Sequence, residues 1–239
     1  MESDSIGKST IQPSNYPTLQ PSNYQIKSLF QVKRLQKFGG KVSVAELLID
    51  WNPRYVFRQV FDGDEEKMEW FLANITTMAW NEEQDAGRDL QEATDWLVAR
   101  HPDWAAQIRQ YYGRWEEMLG GPIEGTVEIL RQLRDEGNFR LVALTNWSHQ
   151  TFPVAQERYD FLGWFEGILV SGAEKMRKPA PEFYHLLIQR YGLEPERCFF
   201  IDDNARNVEA ARALNIPSVQ FTSPEELREV LVNRGLLSL

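Results

Sequence analysis

Three short stretches bring together residue types able to handle a phosphoryl group. One apolar run, Leu141-Val142-Ala143-Leu144, ends in Thr145-Asn146. A second, Ile168-Leu169-Val170, is followed by Arg177-Lys178-Pro179. A third, Cys198-Phe199-Phe200-Ile201, leads straight into Asp202-Asp203. A hydroxyl and the backbone N–H after it can donate hydrogen bonds to phosphoryl oxygens, and an ammonium can offset charge that builds in a transition state. Two adjacent carboxylates repel each other, and a hard cation such as Mg²⁺ relieves that repulsion with oxygen ligands. Each piece also has a plainer reading. Thr145 could cap the next helix, Lys178 could be a surface residue before a proline turn, and Asp202-Asp203 could be a solvated acidic turn. Their order and spacing together favour convergence on one site.

The elements that must position these residues read as alternating helices and strands. Short unbroken apolar runs suit strands buried on both faces, the habit of parallel sheets. In open α/β folds the ligand sits beyond the carboxyl ends of such strands. The expected strands are 139–144, 167–170, 198–201 and 217–221, and the expected helices are 126–136 (ended by Gly137), 152–159, 181–191, 204–214 and 224–233. That alternation implies right-handed crossovers and a parallel sheet.

Upstream the pattern changes. Residues 41–50 read as a poor strand with Glu46 in its midst, and Gly120-Gly121-Pro122 reads as a hinge-like break. Between them, Met68-Phe71-Leu72 and Leu90-Ala93-Trp96-Leu97 have helical spacing, and Asp103 is a candidate N-cap. Six of the eight tryptophans lie in or at the edge of this segment, which suits the packing of a small helical unit and is compatible with homodimer contacts or with a pocket wall. The stretch from Trp80 to Gly87 reads as a solvated connection; its Trp80, Asn81, Glu82 and Asp85 are the alternative, as substrate-selecting residues. Residues 1–37 carry the tandem repeat Gln12-Pro13-Ser14-Asn15-Tyr16 and Gln20-Pro21-Ser22-Asn23-Tyr24, expected to be a disordered tail. The fold class is therefore α/β: a Rossmann-like parallel-sheet core (38–52 and 120–239) with an inserted α-helical cap domain (53–119).

Composition narrows the partners. The chain has 239 residues, with 26 Lys+Arg against 35 Asp+Glu and a net charge of −9. That balance disfavours nucleic acid and anionic membranes, so a small anionic substrate needs local positive charge at its site. The lone cysteine, Cys198, excludes an intramolecular disulfide framework and suits a reducing cytoplasm. No apolar run is long enough to span a bilayer, and no signal-peptide pattern is found.

Three motifs carry a family resemblance. Ala143-Leu144-Thr145-Asn146, Met176-Arg177-Lys178-Pro179-Ala180-Pro181-Glu182-Phe183-Tyr184 and Phe199-Phe200-Ile201-Asp202-Asp203-Asn204-Ala205-Arg206-Asn207 resemble the second, third and fourth motifs of the haloacid dehalogenase (HAD) superfamily. Leu48-Ile49-Asp50-Trp51-Asn52-Pro53-Arg54-Tyr55 resembles the stretch after the first motif in members with a small helical cap. The resemblance implies a cap over a Rossmann-like core, a covalent aspartyl intermediate and usually Mg²⁺. Matched by position, Thr145 with Asn146 would bind the transferring group and Lys178 would steady it. Asp202 would support the site, and Asp203 would be the direct metal ligand.

The first motif departs from the family. Members carry a nucleophilic Asp at the end of the first strand. Counting back without a gap puts Ser43 there, and allowing an insertion puts Lys37 there. Asp50 would need a register change to serve. A serine without a general base is a poor replacement for a carboxylate. The chain is then either a catalytically silent member or one whose sequence upstream of about residue 47 is not ancestral; the intact later motifs favour the second. The expected function is a HAD-like hydrolase, a Mg²⁺-dependent phosphatase of small phosphorylated metabolites, with weak or absent turnover in this polypeptide. The alternatives are a 2-haloacid dehalogenase, which needs no metal, and a non-catalytic binding or scaffold protein. The Asp202-Asp203 pair favours the phosphatase over the dehalogenase.

Overall fold

A computed structural model of the chain describes residues 38–42 and 45–238. The expected disordered tail, residues 1–37, lies outside the described residues.

The sheet is organised around a central strand with a parallel neighbour on each side. In chain order, β1 is Phe38–Val42, a single helical turn α1 is Ala45–Leu48, and β2 is Ile49–Trp51. The helices α2 (Arg54–Val60), α3 (Glu65–Asn74), α4 (Met78–Asp85), α5 (Leu90–Arg100) and α6 (Ala105–Gly113) follow. Then come β3 (Leu119–Pro122), α7 (Glu124–Glu136), β4 (Phe139–Thr145), α8 (Phe152–Arg158), β5 (Gly167–Val170) and α9 (Ser171–Glu174). The chain closes with α10 (Pro181–Tyr191), β6 (Phe200–Asp202), α11 (Ala205–Ala213), β7 (Ser218–Gln220) and α12 (Pro224–Asn233). β4 pairs in parallel with β1 on one side (Val42 opposite Ala143) and with β5 on the other (Thr145 opposite Val170). β6 lies beside β1 and pairs in parallel with β7, Asp202 opposite Gln220.

Alternation along the strands divides the core between two faces, as a period of two requires. Val142 and Leu144 of β4 and Phe200 of β6 pack with Phe183, Tyr184 and Leu187 of α10. Leu141, Ala143 and Ile201 face the other way, toward Leu130 and Leu133 of α7 and Leu227 and Leu231 of α12. The helices stop where the sequence indicates: Gly137 takes φ 66° at the end of α7 and its N–H returns to the Arg134 carbonyl, a conformation glycine adopts without steric cost.

Residues 54–118 form a helical segment between the two strands of an antiparallel ribbon, β2 and β3, in which Ile49 faces Pro122 and Asp50 faces Gly121. Its core is aromatic. Phe57, fully buried, meets Phe71 at 5.1 Å and Tyr111 at 5.9 Å between ring centroids, and Trp80 meets Tyr111 edge-on at 5.2 Å. A Cβ on Gly120 would lie 2.8 Å from the Tyr55 ring and 3.0 Å from the Asp50 carboxyl carbon, so a larger residue there would have to displace these two side chains.

Several local expectations are corrected. Residues 41–50 are not one strand: β1 ends at Val42 and β2 starts at Ile49, with the turn α1 packed on α7 between them. Leu47, Leu48 and Ile49 are all buried in succession, which an alternating strand on one sheet face would not allow. Gly120-Gly121-Pro122 is part of the β3 ladder and not a bare hinge. Trp80 to Asp85 is helical, within α4, and Trp80, Asn81 and Gln84 are buried. Asp103 lies inside a 3₁₀ turn, Pro102–Trp104, and α6 starts behind it with no side-chain cap. Trp96 is 45% exposed, with the Arg100 guanidinium 3.7 Å from its ring centroid. The third motif strand begins at Phe200, because the Cys198 N–H is held by the Pro195 carbonyl in a preceding turn.

Phe57→Ala removes the ring on which the helical segment closes. It is expected to cost about 3–5 kcal/mol, read as a lower denaturation midpoint at unchanged m-value.

Candidate active site

The three polar strand ends meet at the carboxyl edge of the sheet. Lys178 and Asp202 are only 4% and 1% exposed, and their Nζ and Oδ2 are 2.7 Å apart. The other Asp202 oxygen accepts from the Asn204 backbone N–H at 3.0 Å and from Asn207 Nδ2 at 2.9 Å. Burial pushes the Asp202 pKa upward, but the Lys178 charge and these hydrogen bonds outweigh it and hold the carboxyl below its ordinary range. Asn146 clamps the lysine backbone from both sides: its Oδ1 accepts from the Lys178 N–H at 2.8 Å and its Nδ2 donates to the Lys178 carbonyl at 3.0 Å. β4, the loop after β5, and β6 are thereby tied at one rim.

Thr145 ends β4 fully buried, and among the described residues its Oγ1 has no hydrogen-bond partner. It is therefore no helix cap, and Lys178 is no surface residue. An enclosed hydroxyl without a partner costs free energy unless something else supplies one, so the position suits a ligand oxygen.

Asp203 differs from its neighbour. It is partly exposed, its backbone carbonyl accepts from Gln220 Nε2 at 2.9 Å, and among the described residues its carboxylate takes no hydrogen bond. A hard cation seeks such a carboxylate. Among the described residues no group of three or more acidic, histidine or cysteine side chains gathers, so Asp203 is the one strand-end carboxylate left available there. Asp50 stands apart from this rim: its carboxylate accepts from the Tyr55 hydroxyl at the neck of the β2–β3 ribbon.

Next to Asn146 lies a cavity of about 60 Å³ whose walls join the helical segment to the loop after β4. Trp51, Tyr112, Trp115 and Trp147 line it, with Asn81 and Asp85 on the helical side. Trp115 and Trp147 meet at 5.7 Å. Asp85 is half-buried as a residue, but its carboxyl end is enclosed. Burial pushes its pKa up to about 7, against the Ser148 N–H and the Arg177 charge, which act to lower it. Asn81 donates to Asp85 at 3.2 Å. Glu82 points elsewhere and pairs with Arg177 at 2.8 Å, while Trp80 belongs to the aromatic core of the segment. Sequence reasoning missed Asn207, whose spacing five residues after Asp202 on the following helix was the available signal, and Trp147 and Ser148, which directly follow the Thr145-Asn146 strand end.

Comparison with known proteins identifies the family. A family model described as haloacid dehalogenase-like hydrolase matches residues 25–215, so its match begins upstream of β1. Protein CbbY of Cupriavidus necator is 40% identical over 196 residues, 79% of this chain and 71% of that protein. The chloroplastic flavin mononucleotide hydrolase 1 of Arabidopsis thaliana is 27% identical over 114 residues, 48% of this chain and 46% of that protein. The chain spans less than half the length of that relative, and 29% of a drimenol cyclase of Aspergillus calidoustus. Among solved structures, a HAD family enzyme of Bacteroides thetaiotaomicron in complex with magnesium and inorganic phosphate aligns at TM-score 0.60 and 19% identity, over 79% of this chain and 96% of that one. The L-2-haloacid dehalogenase of Xanthobacter autotrophicus aligns at TM-score 0.55 and 16% identity, over 85% of each chain. At such identities the two structures speak to the fold alone. The fold, the three strand-end motifs and the family match over most of its length lead to one conclusion: the chain belongs to the haloacid dehalogenase-like hydrolases.

Proposed function

We propose that this hydrolase is of the phosphatase type, acting on small phosphorylated metabolites with Mg²⁺, in a reducing cytoplasm. The observation that carries this reading is the buried Thr145 hydroxyl, without a hydrogen-bond partner among the described residues, at the sheet edge that also carries the Lys178–Asp202 pair. In this reading Thr145 and the N–H after it hold phosphoryl oxygens, and Lys178 offsets the charge that grows on them. Asp202 keeps Lys178 in place, and Asn146 fixes the lysine backbone. Asp203 would hold the Mg²⁺, which when bound draws charge from the phosphoryl oxygens. Residues 54–118 serve as a cap over the rim. Support also comes from the relatives, one named a flavin mononucleotide hydrolase, and from the neighbour crystallised with magnesium and inorganic phosphate.

The dehalogenase reading has a structural neighbour in its favour. The Asp203 carboxylate, without a hydrogen bond among the described residues and next to a lysine-paired Asp202, weighs against it, since a metal-free site has no use for a second, unneutralised acid there.

The nucleophile is the weak point of catalysis. β1 runs parallel to β4 and ends at Val42, at the edge where Thr145 ends β4. The amino end of β1, Phe38 opposite Phe139, lies at the other edge, and Lys37 precedes Phe38 in the sequence. This supports Ser43, rather than Lys37, as the position where the family carries its Asp, and turnover by this chain is weak for want of a carboxylate.

Five outcomes test this account. Hydrolysis of a generic aryl phosphate should be slow and Mg²⁺-dependent, chloride release from 2-chloropropionate should be undetectable, and Ser43→Asp should raise phosphate release by about a hundredfold or more, where Lys37→Asp does not. Chloride release, or equal rates for both variants, would reverse the assignment. Asp203→Asn should weaken Mg²⁺ binding at least about tenfold by calorimetry, through loss of the anionic ligand; unchanged affinity would remove Asp203 from the metal site. Lys178→Met should destabilise the fold by about 3–5 kcal/mol by leaving a buried carboxylate uncompensated, and Asp202→Asn added to it should restore part of that loss in denaturant unfolding.

A further inference from the structure

The cavity beside Asn146 has walls unlike those expected for a doubly anionic metabolite. Four rings (Trp51, Tyr112, Trp115 and Trp147) form its sides, and the half-exposed Met78 lies at its edge. The described residues that line it include no lysine, arginine or histidine. Its acidic lining residue is Asp85. The cation acting on that carboxylate, Arg177, is already engaged by Glu82 at 2.8 Å and by Glu83 at 3.9 Å. A second anionic group on a ligand would therefore meet a carboxylate and no free counter-charge, in surroundings where charges are weakly screened. An apolar or aromatic body would instead meet ring faces and edges.

We propose that this cavity receives the alcohol portion of the substrate, that it selects an uncharged aromatic or apolar alcohol, and that Asp85 is the specificity-determining residue that turns away carboxylate-bearing ones. The proposal rests on the phosphatase reading for the word substrate, but the selectivity belongs to the cavity and can be measured without phosphate. The volume, about 60 Å³, is less than half of the ~150 Å³ of an apolar cavity that encloses a benzene ring; it takes in a short chain or one edge of a ring, the rest of which stays outside it. Asp85 keeps its place through Asn81 and the Ser148 N–H, and its backbone carbonyl accepts from the Ser171 hydroxyl.

Protonation gives the selectivity a pH signature. With its pKa pushed to about 7 by burial, Asp85 changes from largely neutral to largely charged as pH rises from 6 to 8. The charged groups acting on it are Arg177, which lowers its pKa, and Glu82, which raises it; Tyr111 and Tyr112 feel its charge, and burial holds both phenols above their ordinary range. Rejection of an anionic ligand thus strengthens with rising pH.

The test uses the full chain and two probes of matched shape, benzyl alcohol and benzoate, with binding read by quenching of tryptophan fluorescence, since three of the lining rings are indoles. At pH 8 benzyl alcohol should bind at least tenfold tighter than benzoate, and the ratio should shrink at pH 6. Asp85→Asn should bring the ratio within about threefold and make it independent of pH. Met78→Lys adds a cation at a half-exposed lining position, and should tighten benzoate severalfold while leaving benzyl alcohol unchanged. Equal binding of the two probes, failure of both to bind, or a ratio that neither variant moves, would overturn the proposal. Inorganic phosphate binding, followed by calorimetry in the same samples, reports on Thr145 and Lys178 separately. Its loss with the probe selectivity intact would refute the phosphatase reading and leave the cavity assignment standing.

Discussion

The buried ion pair between Lys178 and Asp202 is the constraint on which the site depends. Taking two charges out of water costs several kcal/mol per ion, and the contact repays that cost only when the remaining lone pairs are also satisfied. Asp202 meets that condition: it accepts from Lys178, from Asn207 and from the Asn204 N–H, and the lysine backbone is clamped by Asn146. Three strand ends that share no sequence neighbourhood are thus held in one geometry by charge-assisted hydrogen bonds. Among the described residues, the buried Thr145 hydroxyl and the partly exposed Asp203 carboxylate take no hydrogen bond. The rim is held in one geometry by its own contacts, which is what electrostatic preorganisation requires.

The helical segment is fastened to that rim by a second group of contacts. The Ser171 hydroxyl links the Asp85 carbonyl to the Trp147 N–H, Arg177 reaches Glu82, and Gln150 both accepts from the Leu90 N–H and donates to Asp89. Glycine makes the approach close enough: a Cβ on Gly87 would lie 2.8 Å from the Gly172 carbonyl oxygen, and one on Gly172 would lie 2.9 Å from that of Trp147. The cavity lies across this junction, with walls supplied by α4, α6, the ribbon and the loop after β4. Its apolar character comes from tryptophans that are distant in sequence and meet only at this junction.

Legibility in the sequence followed the range of the forces involved. Runs such as Leu141 to Leu144 could be read as buried parallel strands because a strand covered on both faces needs apolar residues at every position. Gly137 could be read as a helix stop because left-handed φ favours glycine. The stretch from Trp80 to Asp85 was misjudged because its polar residues find their partners far along the chain: Gln84 and Asn81 are both satisfied by the Tyr112 hydroxyl, 28 and 31 residues on. Trp96 was placed inside by its spacing, yet it stays at the surface with Arg100 over its ring. Asp103 lost its capping place to the 3₁₀ turn that Pro102 begins, since proline suits the first position of such a turn.

By itself the sequence determined the chemistry on offer: a hydroxyl, an ammonium and two carboxylates, each directly behind an apolar run or a proline-marked loop, and no aspartate at the expected first strand end. Only the tertiary structure decided how those groups divide the work. Asp202 and Asp203 are the same residue type at adjacent positions, yet one is buried against a lysine 24 residues earlier and the carboxylate of the other takes no hydrogen bond among the described residues. The division comes from which carboxylate the fold brings within hydrogen-bonding reach of Lys178, and that distance is set by the packing of β6 against its neighbours, which no local pattern encodes.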